Sequence, residues 1–243
     1  PRIFVMENVS GLLSMDKGNT MKNIVNEFSK SGYNVTHKIL SASDFGVPQM
    51  RNRVFIVGTS IPLEHEKIFP SPKPSKPISV KEAISDLNFI KLADSSNTYP
   101  IPSQSKYQKK MRVGSKNLHN HESANHSQKI QDRFSLVPPG MDGRNALKNS
   151  DTNKRDFYRL HPDKTSRTVT TLPEDLIHYE KNRIPTVREL ARIQSFPDSF
   201  VFKGPRTTGG KQRKFSCPQY TQIGNAVPPL LSEKIFRHIS KFL

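Results

Sequence analysis

The first feature of the sequence with chemical potential is a carboxylate at the end of an apolar run. Residues 3–6 are Ile, Phe, Val and Met, and Glu7 and Asn8 follow them directly. A continuous apolar stretch of this length is typical of a strand buried in a parallel sheet. Ligands gather beyond the carboxyl ends of the strands in such sheets, which makes Glu7 a candidate site residue. The alternative is a solvated residue at a strand end, and this stretch alone favours that alternative.

The composition indicates a polyanionic partner. The chain has 243 residues, which is enough for one large or two small domains. Its 38 Lys and Arg residues outnumber 21 Asp and Glu residues and give a formal net charge of +17, so nucleic acid is the leading partner class. No apolar segment approaches the ~18 residues that a membrane span requires. The single cysteine, Cys217, excludes an internal disulfide framework and fits a reducing cytoplasm.

The elements that must position Glu7 are predicted to form half of an α/β sheet. Residues 35–40 and 53–57 alternate or run apolar as strands do. A helix that ends at Gly32 is predicted from four apolar residues at helical spacing, Met21, Ile24, Val25 and Phe28. Residues 61–180 are polar, basic and weakly periodic, and within them the Pro- and Lys-rich residues 69–80 indicate a linker. We expect a small, loop-rich domain there.

Helical signals return near the C-terminal end. Thr186 and Glu189 have the spacing of a capping box. One face of that helix would hold Val187, Leu190 and Ala191, and Gln194 can extend it. A last helix would begin at Pro228 or Pro229 and carry an apolar stripe for core packing, made of Leu231, Ile235, Ile239 and Phe242.

Four stretches together resemble the cytosine-5 DNA methyltransferase family, in the same order and with similar gaps. Residues 7–9 (ENV) resemble one signature, and residues 49–53 (QMRNR) resemble the Q-x-R-x-R signature. Residues 188–200 (RELARIQSFPDSF) and 222–229 (QIGNAVPP) resemble the last two motifs. Each short motif alone occurs by chance, whereas four in register with matching strand and helix signals are a strong resemblance.

The resemblance implies an α/β fold. This fold would be the C-terminal half of a Rossmann-like, S-adenosylmethionine-dependent methyltransferase sheet plus a small, loop-rich target recognition domain. Residues 1–60 would hold late strands and a helix of the catalytic domain, residues 61–182 a linker and the target recognition domain, and residues 183–243 the returning helices with the last two motifs.

The resemblance also implies roles for three residues in catalysis. In this family a thiolate adds to carbon 6 of a flipped cytosine, and a glutamate hydrogen-bonds or protonates ring nitrogen 3, the role implied for Glu7. Arg53 is the better candidate for a cation beside the carbonyl oxygen, and Arg51 would orient the nucleophile loop or a phosphate. The alternative for both arginines is a solvated basic strand edge.

Gly224, Asn225 and Ala226 resemble the residues that approach the cofactor S-adenosylmethionine. A glycine permits close backbone approach, and an asparagine offers both a donor and an acceptor. A turn before a proline-started helix accounts for the same residues and does not compete with that role. The resemblance implies no metal, and it makes Arg188 a structural residue that braces the recognition domain.

Two motifs of the family precede ENV and are not found in this sequence, namely the Phe-x-Gly-x-Gly cofactor loop and the Pro-Cys nucleophile. The sequence opens at Pro1 inside a predicted strand, so we expect the C-terminal part of a longer chain or one subunit of a split enzyme. Its partner, in cis or as a separate subunit, would carry the early motifs, and this chain should not methylate DNA alone. Cys217 lacks the flanking match to the nucleophile loop, so we assign it no catalytic role.

Other polar clusters have simpler interpretations. Residues 119–126 contain three histidines whose spacing does not match zinc sites, and a polar loop explains them better. Gly140 and Gly143 would form either a phosphate-contacting turn or a plain surface turn. Lys and Arg residues within 105–167 and 203–214 are candidates for DNA backbone contacts, although each can also be a solvated charge.

We therefore predict the C-terminal part or a subunit of a DNA (cytosine-5-)-methyltransferase of bacterial restriction-modification type, which acts on a specific site in double-stranded DNA. The alternative is a catalytically inactive, sequence-specific DNA-binding module derived from such an enzyme. The presence of Glu7, Arg51, Arg53 and Asn225 argues against that alternative. A tRNA-modifying member of the family is less favoured, because the Cys-Phe-Thr stretch of those members is not found here.

Overall fold

The computed structural model describes residues 1–62, 64, 67–72, 76–148, 156–207 and 215–243. The strands in chain order are β1 (Ile3–Val9), β2 (Asn34–Ser41), β3 (Asn52–Thr59), β4 (Tyr158–Arg159) and β5 (Leu176–Ile177). The α-helices are α1 (Asn19–Lys30), α2 (Val80–Ile84), α3 (Lys106–Met111), α4 (Gln128–Ser135), α5 (Gly143–Ala146), α6 (Val187–Ile193), α7 (Gln219–Asn225) and α8 (Pro229–Ile239). Within these described ranges, no helix has the length and apolar character that crossing a membrane requires.

The chain forms two compact units. Unit 1 comprises Pro1–Gly46, Met50–Lys76 and Val227–Leu243, and unit 2 comprises Val47–Gln49 and Pro77–Ala226. These bounds differ from the predicted ranges, because residues 183–226 group with unit 2.

Parts of three predicted segments lie outside the described residues. They are residues 73–75 of the predicted linker, and residues 149–155 and 208–214 of the predicted DNA-contacting segments.

Unit 1 contains a three-stranded sheet in the order β1-β3-β2. The central strand β3 is antiparallel to both neighbours, with Glu7 opposite Phe55 and Lys38 opposite Phe55 on the other side. The prediction of neighbouring parallel strands is therefore wrong for this sheet. The connection from β2 to β3, residues 42–51, is too short for a parallel crossover, which needs a helix-sized segment. β1 and β2 run in the same direction, but β3 lies between them.

The predicted burial of residues 3–6 is also wrong. Met6 is 38% exposed, and the other three residues of the run are only partly buried. β1 is an edge strand with one paired neighbour in the described part of the chain, so its apolar residues lack the two-sided cover of a central strand.

The predicted helix α1 and strands β2 and β3 are confirmed. Met21 of α1 packs in a buried cluster with Leu12, Val54 and Ile56, because these two strand residues share one face of β3. The helix is followed by Gly32 with φ +84°, the left-handed conformation that glycine adopts without steric strain.

An aromatic cluster covers a glycine in β3. Phe4 lies directly opposite Gly58 in the sheet, and its ring centroid is 4.3 Å from that of Phe28 and 5.1 Å from that of Tyr33. A Cβ atom at Gly58 would lie 2.1 Å from Cε1 of Phe4. The sheet therefore requires glycine here, because the Phe4 ring occupies the space of a side chain.

We expect Gly58→Ala to lower the free energy of unfolding by about 1–3 kcal/mol, the usual cost of overpacking. Urea unfolding measures the change. Gly11→Ala is the matched control, since no atom lies within 4 Å of a Cβ at Gly11. Combining Gly58→Ala with Phe4→Ala should recover part of the loss, and a loss equal to the sum of the two single changes would contradict the steric explanation.

Helix α8 completes unit 1. It begins at Pro229 and packs against the short 3-10 turn Ala42–Phe45. The predicted stripe is confirmed for Leu231, Ile235 and Ile239, which are buried. Phe242 lies beyond the helix in a 3-10 turn and is partly buried.

Unit 2 is organised around α6, against which α2 and α7 pack. The predicted capping box is confirmed: Thr186 Oγ1 accepts from Glu189 N at 3.1 Å, and Glu189 Oε2 accepts from Thr186 N at 2.7 Å. The predicted face of Val187, Leu190 and Ala191 is buried, and the other four residues of α6 are buried as well, including two arginines and a glutamate. These charged side chains form ion pairs or hydrogen bonds with other residues of unit 2.

Candidate active site

The antiparallel pairing of β1 and β3 brings Glu7 and Arg53 together. Glu7 lies opposite Phe55, and Arg53 is two residues from Phe55 on the same face of β3, since side chains alternate along a strand. Glu7 Oε1 lies 3.0 Å from Arg53 Nε. The side chains are 23% and 14% exposed, respectively, so this ion pair is largely shielded from water.

Arg51 lies just before β3 and adds a second cation. Its side chain is buried. Burial, together with the nearby charge of Arg53, lowers the pKa of Arg51 to about 10 against the opposing effect of Glu7. Burial also lowers the pKa of Arg53, and the Glu7 carboxylate opposes this shift. Both guanidinium groups stay protonated at neutral pH, and the three residues implied by the resemblance share one electrostatic environment.

This cluster has the groups needed to recognise a planar polar ring. A carboxyl group can hydrogen-bond to a ring nitrogen, and a guanidinium can donate to a neighbouring carbonyl oxygen. Glu7 Oε1 is buried and makes no hydrogen bond within the described residues, although Arg53 Nε lies beside it at ion-pair distance. The ion pair with Arg53 holds the carboxylate beside the guanidinium, while Glu7 Oε1 is left short of a hydrogen-bond partner that a ligand could supply.

The three residues predicted to approach a cofactor lie at the end of α7, in unit 2. Gly224 is buried, and a Cβ atom there would lie 2.3 Å from Thr170 O. The close approach that requires glycine is thus made to the backbone of the protein itself. Asn225 is exposed at the end of α7. Asn225 and Ala226 therefore fit a ligand-contacting role better than Gly224 does.

Two buried glutamines have a role that the sequence interpretation missed. Gln49 and Gln194 hydrogen-bond to each other through their side chains, although 145 residues separate them. Gln194 also donates to Ala226 O at 2.7 Å. The sequence comparison identified Gln49 only as the first residue of the Q-x-R-x-R signature and gave it no role. No local spacing pattern predicts its contact with Gln194.

The structural role predicted for Arg188 is confirmed. Its side chain is fully buried, and it donates to backbone carbonyls, His119 O at 2.8 Å and Phe200 O at 2.6 Å. A guanidinium placed this way holds loops together and has no free edge for a ligand.

The histidine-containing loop is held by structural hydrogen bonds. The His121 ring bonds to Thr186 Oγ1 at 2.9 Å and Leu87 O at 3.0 Å, and His126 Nε2 accepts from Ile184 N at 3.2 Å. No group of His, Cys, Asp and Glu suited to a metal ion occurs within the described residues.

The two glycines of the predicted turn donate to backbone carbonyls. Gly140 N donates to Arg159 O at 2.9 Å, and Gly143 N donates to Phe157 O at 2.7 Å. This pattern favours the plain turn over the phosphate-contacting turn, because neither amide is left for an anion.

Comparisons with known proteins agree with these features. A family model described as C-5 cytosine-specific DNA methylase matches residues 1–241. The chain is 40% identical to the Type II methyltransferase M.DdeI of Desulfomicrobium norvegicum, with 99% of this chain and 63% of that protein covered. It is 36% identical to the Type II methyltransferase M1.HphI of Haemophilus parahaemolyticus, with 99% and 57% covered. The chain thus spans less than two thirds of the length of either relative.

A solved structure has a fold similar to that of this chain. A protein described as a prophage-encoded DNA modification methyltransferase of E. coli superposes with a TM-score of 0.76 at 24% identity, over 99% of this chain and 69% of that one. This similarity shows a shared α/β fold. Because the family model matches nearly the whole sequence, the chain belongs to the C-5 cytosine-specific DNA methylase family.

Proposed function

We propose that this protein is part of a DNA (cytosine-5-)-methyltransferase of restriction-modification type. It would act in the transfer of a methyl group from S-adenosylmethionine to carbon 5 of a flipped cytosine at a specific site in double-stranded DNA. The observation that carries the proposal is the cluster of Glu7, Arg51 and Arg53 in a chain of this family. The formal net charge of +17 supports a DNA partner.

Glu7 and Arg53 would bind the Watson–Crick edge of the flipped base. The Glu7 carboxyl group would hydrogen-bond or donate a proton to ring nitrogen 3 as electron density moves there. Arg53 would stabilise the negative charge that develops on the carbonyl oxygen, in a site where burial strengthens electrostatic interactions. Arg51 would hold the nucleophile loop or a phosphate. The ion pair between Glu7 and Arg53 keeps both groups oriented before the base enters.

Asn225 and Ala226 would contact the cofactor, because Asn225 offers an exposed carboxamide at the end of α7. S-adenosylmethionine, when bound, supplies the methyl group as an electrophile. We retain Gly224 in this group as a residue that shapes the turn through its packing on Thr170.

Methyl transfer would also require a polypeptide that supplies the thiolate nucleophile and the glycine-rich cofactor loop. The chain spans 63% of the length of the M.DdeI relative, which leaves room for such a segment in that protein. We propose that such a segment acts together with the residues described here, in cis or as a separate subunit. Cys217 is exposed, and its flanking residues do not match the family's nucleophile loop, so we assign the nucleophile elsewhere.

Labelled S-adenosylmethionine and a mixed-sequence DNA duplex test this proposal. We expect methyl transfer to cytosine carbon 5 when the chain is combined with a polypeptide bearing the early motifs, and none from the chain alone. No transfer in any mixture, with DNA binding that weakens steeply with salt, would favour the inactive binding module instead. Transfer by the chain alone that disappears in Cys217→Ser would overturn the assignment of the nucleophile to another polypeptide.

A further inference from the structure

A chain of buried hydrogen bonds connects four segments of unit 2 that are distant in sequence. Val169 N donates to Gln49 Oε1 at 2.9 Å, and Gln49 Nε2 donates to Gln194 Oε1. Gln194 Nε2 in turn donates to Ile223 O at 3.1 Å and to Ala226 O at 2.7 Å. Both glutamine side chains are fully buried. The oxygen and nitrogen atoms of both carboxamides thus all form hydrogen bonds inside the protein, as buried amides require.

The chain of contacts closes into a ring. Gly224, between Ile223 and Ala226, packs on the backbone of residues 170–171 so closely that a Cβ would lie 2.3 Å from Thr170 O and 2.6 Å from Thr171 N. Residues 169–171 are the same segment that Gln49 binds through Val169. We call this ring the glutamine clamp, and it consists of Gln49, Gln194, residues 169–171 and residues 223–226.

The clamp acts on the end of helix α7. The last carbonyl groups of a helix have no partner within the helix and need one from elsewhere. Gln194 supplies donors to Ile223 O and Ala226 O, one before and one after the helix end at Asn225. The backbone on both sides of Asn225 is thus fixed, while the Asn225 side chain is the exposed part of the turn.

We propose that Gln49 and Gln194 are positioning residues that hold the turn of residues 224–226 in the shape that binds S-adenosylmethionine. This inference rests on the proposed function. It divides the Q-x-R-x-R signature between two tasks: Arg51 and Arg53 serve the base, whereas Gln49 serves the cofactor through Gln194. Gln49 contacts neither ligand, because its carboxamide is buried and bonded within unit 2.

Hydrogen exchange on the chain itself tests the clamp without any activity. In Gln49→Leu we expect the amides of residues 219–227 to exchange about tenfold faster, because the helix end loses its fixed donor. Gln194→Met, which removes the same donor directly, should give the same pattern and serves if Gln49→Leu folds poorly. Gln108→Leu is the matched control. Gln108 is also fully buried and donates to Ser85 Oγ at 2.9 Å, outside the clamp.

Unchanged exchange at residues 219–227 in both clamp variants would overturn the clamp. Equal acceleration in Gln108→Leu would do so as well, because the effect would then reflect general destabilisation. The double variant of Gln49 and Gln194 should exchange no faster than either single variant, since both remove one connected path.

Kinetics in the reconstituted mixture test the cofactor role. We expect Gln49→Leu to raise KM for S-adenosylmethionine about tenfold while kcat and KM for DNA change less than about threefold, the pattern of lost ground-state binding. Faster exchange with an unchanged KM for S-adenosylmethionine would overturn the positioning role. If the unsubstituted mixture transfers no methyl group, the proposed function fails, and the exchange experiment still decides whether the clamp exists.

Discussion

We expect Glu7→Gln to lower the rate of methyl transfer in the reconstituted mixture by about 10²- to 10⁴-fold, the usual contribution of a positioned acid or base. Glutamine has nearly the same shape as glutamate but cannot donate a proton to ring nitrogen 3. The substitution also removes the charge that orients Arg53, whose Nε lies 3.0 Å from Glu7 Oε1. The rate with labelled S-adenosylmethionine at saturating DNA measures the effect, and DNA affinity should stay nearly unchanged because the role proposed for Glu7 is at the base and not at a phosphate.

Glu27→Gln is the matched control for this change. Glu27 lies on α1 and forms an exposed i,i+3 ion pair with Lys30 at 2.7 Å. Its neutralisation should leave the rate within about twofold, since exposed ion pairs contribute little. A Glu7→Gln mixture that keeps the full rate would remove Glu7 from the reaction. A variant that loses DNA binding as well would instead indicate a role in folding.

We expect Arg192→Leu to lower the free energy of unfolding by about 3–5 kcal/mol, because it removes the buried cation that Asp86 and Asp198 share. Arg192 is fully buried and makes five hydrogen bonds. It donates to both oxygens of Asp198 at 2.6 Å, to Asp86 Oδ1 at 2.9 Å, and to Ala83 O at 3.1 Å. Burial alone would lower the pKa of Arg192, but Asp198 and Asp86 outweigh burial and raise it.

Urea unfolding of the chain measures this change. Asp198 also accepts from Tyr99 OH at 2.8 Å, and Asp86 pairs with Arg112, so neither carboxylate is left entirely without donors. Adding Asp198→Asn to Arg192→Leu should recover part of the lost stability, because it removes the buried negative charge that had paired with Arg192. The exposed Arg237, paired with Glu233 at 2.8 Å, provides the control, and Arg237→Leu should have no measurable effect. Equal losses for the two arginine substitutions would contradict the burial argument.

Elements set by local spacing were predictable from the sequence. The apolar spacing around Met21 and the stop at Gly32 are sufficient for α1, and Thr186 with Glu189 marks the start of α6. Each of these signals lies within a few residues, so the local pattern contains the whole physical cause. The grouping of Glu7 with Arg53 came only from the family resemblance, because the antiparallel pairing that brings them together was not predicted.

Features that depend on distant partners were not predictable. An apolar run such as residues 3–6 specifies a strand but neither the direction of its neighbour nor their number, so the antiparallel edge position of β1 was missed. The complete burial of α6 was not predicted, because arginines such as Arg188 and Arg192 usually lie on the solvent-exposed face of a helix. Their burial is explained by partners that the folded chain brings to them, namely Asp86 and Asp198 for Arg192, and backbone carbonyls for Arg188.

The assignment of Val47–Gln49 to unit 2 has a consequence for modular exchange between relatives. A transplant that moves Pro77–Ala226 alone as a cassette would leave Gln49 behind, together with the Pro48 carbonyl that accepts from Ser166 N at 3.1 Å. The stability of such a hybrid would depend on whether the recipient protein has compatible residues at positions 47–49. A transplant of one contiguous segment would thus separate unit 2 from residues that hydrogen-bond to it. A complete transfer of unit 2 requires both Val47–Gln49 and Pro77–Ala226.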